Sequence, residues 1–168
     1  RILRSCFIKQ ADVLQGLFLF ENHFDLATLK NNFDFYEPRT VHESSLSPCI
    51  HVIQAAKLGY QEKAYELYLR TSRLDLDDYN HEVHEGLHIT SMAGTWMAVV
   101  MGFGGMRVVD GALSFAPMMP KQWKGFSFTI CFKGAVIKVQ VKDQNVDLSL
   151  VSGNPLTVKL FEEKVQLN

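Results

Sequence analysis

The chain is short of the features that place a sequence quickly. Its 168 residues hold three cysteines, Cys6, Cys49 and Cys131, odd in number and far apart. That pattern argues against a disulfide framework and for reduced thiols, so a cytoplasmic setting is expected. No apolar run reaches the roughly 18 residues of a membrane span, and no charged-then-apolar secretory leader is seen, so no membrane partner is expected. Charge of one sign is also missing: 17 basic and 18 acidic residues leave a formal net charge of −1. The basic residues are scattered, which excludes a nucleic-acid surface, since binding a polyphosphate needs a concentrated basic face. There is no internal repeat and no low-complexity segment. The chain opens on Arg1-Ile2-Leu3-Arg4-Ser5-Cys6, which reads as the middle of an element and points to a piece of a longer polypeptide.

Several catalytic signatures are absent as well. His81, His84 and His88 are spaced three and four apart, but the run is not H-E-x-x-H, and Gly86 would interrupt the helix that aligns such ligands. A solvated loop is the better reading, and no metal is expected. Asp75, Asp77 and Asp78 alternate like a calcium loop for three residues, without its central glycine or terminal glutamate, so a capped turn is expected. Ser91 lacks the G-x-S-x-G elbow of a hydrolase nucleophile. Gly102-Phe103-Gly104-Gly105 does not open a helix after a strand and is no dinucleotide loop. Trp96 and Trp123 read as packing residues.

What is present falls into two halves with different periods. At 47% hydrophobic, the chain can bury one good core or two small ones. Up to about Gly105 the pattern is helical. Residues 11–21 form an apolar helical run, and residues 25–33 a short helix capped at Asp25. A helix opens with Ser47 as N-cap and Pro48 as its first residue, and Gly59 ends it in a left-handed conformation. Residues 61–72 carry an outward ladder of Lys63, Glu66 and Arg70 and form an antiparallel neighbour. Residues 91–101 are nearly all apolar and should be buried on most sides. From Met106 onward the period is two. Residues 126–132 and 135–141 alternate around a Lys133-Gly134 hairpin turn, and 146–151 and 156–161 flank a turn at Ser152-Gly153-Asn154-Pro155. Short strands at this spacing imply an antiparallel sandwich or jelly roll.

Two loops before helical runs carry the chemistry. His42-Glu43-Ser44-Ser45 offers an imidazole, a carboxylate and two hydroxyls, and because Ser47-Pro48 supplies the cap, Ser44 and Ser45 are surplus to capping. His88 precedes Ile89-Thr90-Ser91 at another helix start, where a histidine donor helps neutralise an anion. Backbone N–H groups at a helix start, with hydroxyls beside them, cradle an oxyanion. Two such cradles suggest phosphate or a polyhydroxylated ligand. Lys9-Gln10-Ala11-Asp12 could grip sugar hydroxyls or phosphate. Taken alone, a polar helix start with Asp12 in the first turn is the plainer reading.

Taken in order, these stretches resemble glycoside hydrolase family 65. They are Lys9-Gln10-Ala11-Asp12-Val13, Tyr36-Glu37-Pro38 with His42-Glu43-Ser44-Ser45-Leu46-Ser47, Ala55-Ala56-Lys57-Leu58-Gly59, Leu74-Asp75-Leu76-Asp77-Asp78-Tyr79, Gly86 to Trp96, and Gly102-Phe103-Gly104-Gly105-Met106-Arg107. Within the family the likeness is nearest to the maltose phosphorylase branch. The resemblance implies an α+β chain: residues 1–105 as the last helices of an (α/α)6 catalytic barrel and residues 106–168 as a small C-terminal β domain. It implies an inverting phosphorolysis, in which phosphate attacks the glucosidic carbon where an inverting hydrolase holds its water, releasing β-glucose 1-phosphate and glucose from maltose. The general-acid glutamate would lie upstream of Arg1, so no catalytic residue is expected in this chain and Glu43 takes a supporting role. Lys9 and Gln10 match the glucose site; Ser44, Ser45 and His88, with Thr90 and Ser91, are assigned to phosphate. Phosphate is then a co-substrate and no organic cofactor is expected. The implied partners are the disaccharide, phosphate, the remainder of the same polypeptide and a second copy in a homodimer. Phosphorolysis of trehalose, kojibiose or nigerose, hydrolysis on the same scaffold, and a non-catalytic carbohydrate-binding or structural piece stand as alternatives.

Overall fold

The computed structural model describes residues 5–143 and 145–168; the reading of residues 1–4 as part of an element lies outside them. The chain divides into two compact units, Arg1–Val99 and Val100–Asn168. The first is helical: α1 (Asp12–Leu19), α2 (Leu26–Tyr36), α3 (Ser47–Lys57), α4 (Gln61–Ser72) and α5 (Ile89–Met97), with 3-10 turns at Glu21–His23, Glu37–Arg39 and Val83–Glu85. Local chemistry sets several of the boundaries. Asp25 caps α2 by accepting from Thr28 N at 2.7 Å, satisfying a backbone donor that has no partner within the helix. Gly59, at φ 76°, turns the chain out of α3.

Helix α3 is the centre of this unit. Every residue from Ser47 to Ala56 is buried, and α1, α2, α4 and α5 all pack on it. Helix α5 comes close to it at one point. A Cβ built on Gly94 would lie 2.9 Å from Cys49 Cβ and 3.0 Å from its Sγ, so the two backbones approach as only a glycine allows. Ser91 Oγ, buried at the start of α5, donates to Thr71 O at 2.7 Å, tying α5 to the end of α4. Ser45 meets Thr90 and Cys49 meets Gly94, so α3 and α5 run parallel and begin at the same end of the unit.

Two expectations fail here. Ser47 is not the cap of α3: Leu46 holds that place without a side-chain bond, and Ser47 is the first helical residue beside Pro48. Its hydroxyl is drawn to His42 Nδ1 at 2.8 Å instead. The apolar run predicted over 91–101 begins at Ile89, becomes π-helical over Ala98–Phe103, and is not enclosed. Ile89, Met92 and Trp96 form one face that is exposed, Trp96 at 52%. Trp96 is therefore not a packing residue within this chain, whereas Trp123 packs edge-on against Phe103 and Phe126 at 5.0 and 5.7 Å.

The second unit is a two-sheet sandwich. Its strands are β1 (Arg107–Val109), β2 (Ala112–Phe115), β3 (Gly125–Phe132), β4 (Ala135–Lys142), β5 (Asn145–Ser152), β6 (Leu156–Leu160) and β7 (Glu163–Leu167). One sheet has the order β1-β2-β6-β7 and the other β3-β4-β5. Lys133 and Gly134, at φ 48° and 81°, make the two-residue β3–β4 turn as expected. Leu113 and Phe115 from one sheet meet Ile137, Val139 and Val141 from the other in the core. Strands β1 and β2 are too short to show an alternation in the sequence. Moreover, β2 pairs β6 in parallel, so the sandwich is not wholly antiparallel. The α+β class stands.

Gly94→Ala is expected to lower the thermal unfolding midpoint. Overpacking against Cys49 costs about 1–3 kcal/mol, which outweighs the ~1 kcal/mol that alanine gains in a helix. An unchanged or raised midpoint would show that the α3–α5 contact is not tight.

Candidate functional site

The parallel start of α3 and α5 brings the two loops together. Ser45 Oγ lies 3.0 Å from Thr90 Oγ1, one helical turn before the Cys49–Gly94 contact. A third segment joins through a short parallel bridge: Ile8 N donates to Arg39 O at 3.0 Å and Val41 N to Ile8 O at 2.9 Å. That pairing sets Lys9 and Gln10 alongside the loop that carries Ser44 and Ser45. The result is a polar cleft of about 510 Å³ lined by Lys9, Gln10, Asp12, Glu43, Ser44, Ser45 and His88. Both flanking helices aim the positive end of their dipoles at it.

Within the cleft the charges are paired. Lys9 Nζ sits 3.8 Å from Glu43 Oε2, both side chains about two-thirds exposed, a pair worth ~0–1 kcal/mol and easily opened by a ligand. Gln10 Nε2 donates to Asp12 Oδ1 at 3.1 Å. His88 is held more firmly, by Asp75 Oδ1 at 2.6 Å from its Nδ1, with Asp75 Oδ2 accepting from His88 N at 2.8 Å. Glu82 Oε2 lies 3.5 Å from the other ring nitrogen. The hydrogen bond to Asp75, helped by the nearby carboxylates, pushes the His88 pKa up, and the same bond holds Asp75 below the usual carboxylate range.

The sequence-assigned residues therefore separate. Lys9, Gln10, Ser44, Ser45 and His88 line one cleft, and Thr90 adjoins it through Ser45. Ser91 is elsewhere: its hydroxyl is buried and spent on Thr71 O. His42 also turns inward, 6% exposed, and holds the first turn of α3 through Ser47 rather than facing a ligand. Burial, with the Arg70 and Lys63 charges, lowers its pKa to about 4. The role of Asp75 was missed, since its 13-residue separation from His88 leaves no local pattern. His81 and His84 sit exposed, as a solvated loop requires.

The profile of the glycosyl hydrolase family 65 central catalytic domain matches residues 1–97, and that of the family's C-terminal domain matches residues 106–167. The chain belongs to glycosyl hydrolase family 65. It is 56% identical over 167 residues to the maltose phosphorylase of Bacillus subtilis (strain 168), covering 99% of this chain and 22% of that protein. It is 48% identical over 166 residues to the alpha,alpha-trehalose phosphorylase of Thermoanaerobacter brockii, covering 99% and 21%. A solved structure provisionally described as a kojibiose phosphorylase from the human microbiome superposes with a TM-score of 0.93 at 42% identity, over 99% of this chain and 23% of that one. The chain thus spans about a fifth of the length of the curated relatives it matches.

Beneath the cleft, this family 65 chain carries a buried polar cluster that sequence patterning does not reveal. His51, inside α3, has neither ring nitrogen hydrogen-bonded, and His42 Nε2 is likewise unpaired. The two rings meet edge to face at 4.4 Å. Glu37, His42 and His51 bring potential ligand atoms within 4.8 Å of one another. Lys63 Nζ, however, already engages Glu37 Oε1 at 3.4 Å, and Arg70 donates to His42 O at 3.1 Å. Two fixed cations beside the cluster oppose a dication, so the arrangement is that of a neutral imidazole pair. Burial lowers the His51 pKa to about 3.

Both imidazoles are harder to protonate folded than unfolded, so their contribution is intact above pH 6.5 and is lost as pH falls toward 4 and then 3. His51→Leu is expected to be near neutral at pH 7 and to move the acid unfolding midpoint of the protein to lower pH, followed by circular dichroism. An unmoved acid midpoint would mean His51 is protonated as easily folded as unfolded.

Proposed function

We propose that the intact protein is an inverting disaccharide phosphorylase that transfers the glucosyl unit of maltose to inorganic phosphate, giving β-glucose 1-phosphate and glucose. The observation that carries this reading is the convergence of Ser44, Ser45 and His88 with Lys9 and Gln10 in one cleft. Hydroxyls, an imidazolium and two helix starts suit an anion in the position where an inverting hydrolase would need a carboxylate-activated water. Lys9 and Gln10, on the adjoining rim, supply donors for the hydroxyls of the glucosyl unit. Thr90 supports Ser45 in this reading, and Ser91 serves the fold. Glu43 pairs with Lys9 on the rim of the cleft and gives it up when the sugar binds. The general acid comes from the portion of the polypeptide outside this chain, which also provides the rest of the barrel, residues 1–105 supplying its last helices and 106–168 the C-terminal β domain.

Maltose is chosen on the 56% identity to a maltose phosphorylase. Trehalose is the second reading, favoured by the 48% identity to a trehalose phosphorylase. The reaction uses phosphate as co-substrate without an organic cofactor or metal, in a cytoplasmic protein, and a homodimer is its expected assembly.

The full-length protein is expected to release glucose from maltose only when phosphate is added, with the β anomer of glucose 1-phosphate seen by proton NMR. Hydrolysis without phosphate would reject the reading, and turnover of trehalose in place of maltose would select the second. Ser45→Ala removes a hydrogen bond to a charged group worth about 1.5–3 kcal/mol. It is expected to raise KM for phosphate by roughly 10- to 100-fold, leaving KM for maltose within about twofold. Equal losses for both substrates would show that Ser45 does not serve phosphate.

A further inference from the structure

Resting on the phosphate reading of the cleft, one residue acquires a role that its own position in the sequence does not suggest. Asp75 lies in the turn after α4, thirteen residues before His88, and spends both carboxylate oxygens on that one residue: Oδ1 on ring Nδ1 at 2.6 Å and Oδ2 on the backbone N–H at 2.8 Å. The first bond sets the ring's proton and the second sets the backbone from which α5 starts. An ionised carboxylate only accepts, so Nδ1 must carry a hydrogen. A neutral ring would then present Nε2 as a lone pair, which repels phosphate. Only the doubly protonated ring presents an N–H there.

We propose that Asp75 is the positioning residue of the anion site: its two-point grip keeps His88 doubly protonated with Nε2–H as the donor offered to phosphate. The other groups facing the imidazole do not replace it. Glu82 Oε2 reaches Nε2 at 3.5 Å from a half-exposed side chain, close to where the anion must sit, and is the group phosphate displaces. Lys9, Asp12 and Glu43 share the cleft, but Lys9 and Glu43 are paired with each other and Asp12 with Gln10. Asp75 is the carboxylate bonded to His88 at both nitrogen atoms nearest the chain. The upward shift of the His88 pKa agrees in direction. Below that pKa the donor is present; as pH rises through it the proton leaves and phosphate affinity falls.

The experiment compares full-length enzymes assayed over pH 5.5–9 with phosphate varied at saturating maltose. His88→Asn comes first: a phosphate KM raised by tenfold or more supports the anion site, whereas an unchanged KM rejects the phosphate reading itself. Asp75→Asn keeps the shape, loses the charge and retains one of two acceptors. It is expected to raise phosphate KM about tenfold, to leave maltose KM within about twofold, and to move the alkaline fall of kcat/KM for phosphate to lower pH by about one unit. Phosphate's own ionisation is common to both enzymes and cancels in the comparison. Asp75→Glu, which restores the charge, is expected to return the alkaline limb toward its original pH even where the longer side chain weakens binding. If His88→Asn behaves as expected but Asp75→Asn leaves the limb in place, or raises both KM values alike, the positioning role is overturned while the phosphate site stands. Should Asp75→Asn fail to fold, the limb of Asp75→Glu decides: a limb displaced as in a neutral variant overturns the proposal, and a retained one supports it.

Discussion

The geometry of the cleft depends on one close approach, the contact of Gly94 in α5 with Cys49 in α3. With a side chain at position 94 the helices would separate, and the two loops before them would separate as well. The Ser91 hydroxyl adds direction to this contact. By donating to Thr71 O, it fixes how far α5 slides along α4, and thus which residue of the second loop faces Ser45. A glycine and a buried serine, neither of them in the cleft, bring Ser45 and Thr90 within 3.0 Å. The same arrangement puts two helix starts side by side, where their dipoles add instead of cancelling.

The interior of α3 shows a different use of polar residues. His51 is fully buried with no hydrogen bond, and its neighbour His42 spends one nitrogen on Ser47 and leaves the other unpaired. A buried imidazole without a partner costs free energy that an apolar residue would not. What it offers in return is shape: the flat rings stack edge to face, and His42, held at φ 57°, turns the chain from the Thr40 bridge into the first turn of α3. The loop with Ser44 and Ser45 hangs from that turn. The buried pair is thus a hinge pin for the loop, and its neutrality keeps a positive charge out of the core.

How much of this could be read beforehand depends on the distance over which each determinant acts. Asp25 as a cap, Gly59 as a stop and the Lys133-Gly134 turn were legible because their causes lie within a few residues. The Ser47 cap was misread because the partner of its hydroxyl, His42 Nδ1, sits five residues upstream in a left-handed conformation that no pattern signals. Ser91 looked like a ligand because it follows His88 at a helix start; only the tertiary position of Thr71 shows that its hydroxyl is already taken. Asp75 looked like one of a run of turn aspartates, and its bond to His88 spans a loop with no periodicity. In the β unit, strands of eight residues announced themselves, whereas β1 and β2, with three and four, hold too few alternations. The resemblance to family 65 singled out Lys9, Gln10, Ser44, Ser45 and His88, which line one cleft, but also Ser91, which does not.

The charges in the cleft are of two kinds. Lys9 and Glu43 lie 3.8 Å apart in water, and such a pair exchanges partners at little cost. In the proposed phosphorolysis Lys9 can therefore turn to a sugar hydroxyl as Glu43 turns to solvent. His88 has no such freedom, since the bonds from Asp75 reach both its ring and its backbone and release of one does not release the other. The site thus combines an adjustable cation on the rim with a fixed imidazole at the helix start, which the proposal makes the second cation. For a reaction in which a small, symmetric anion must be held in line with a bond in a larger substrate, the fixed charge belongs on the anion. The adjustable one belongs on the sugar, whose hydroxyls change position as its ring distorts.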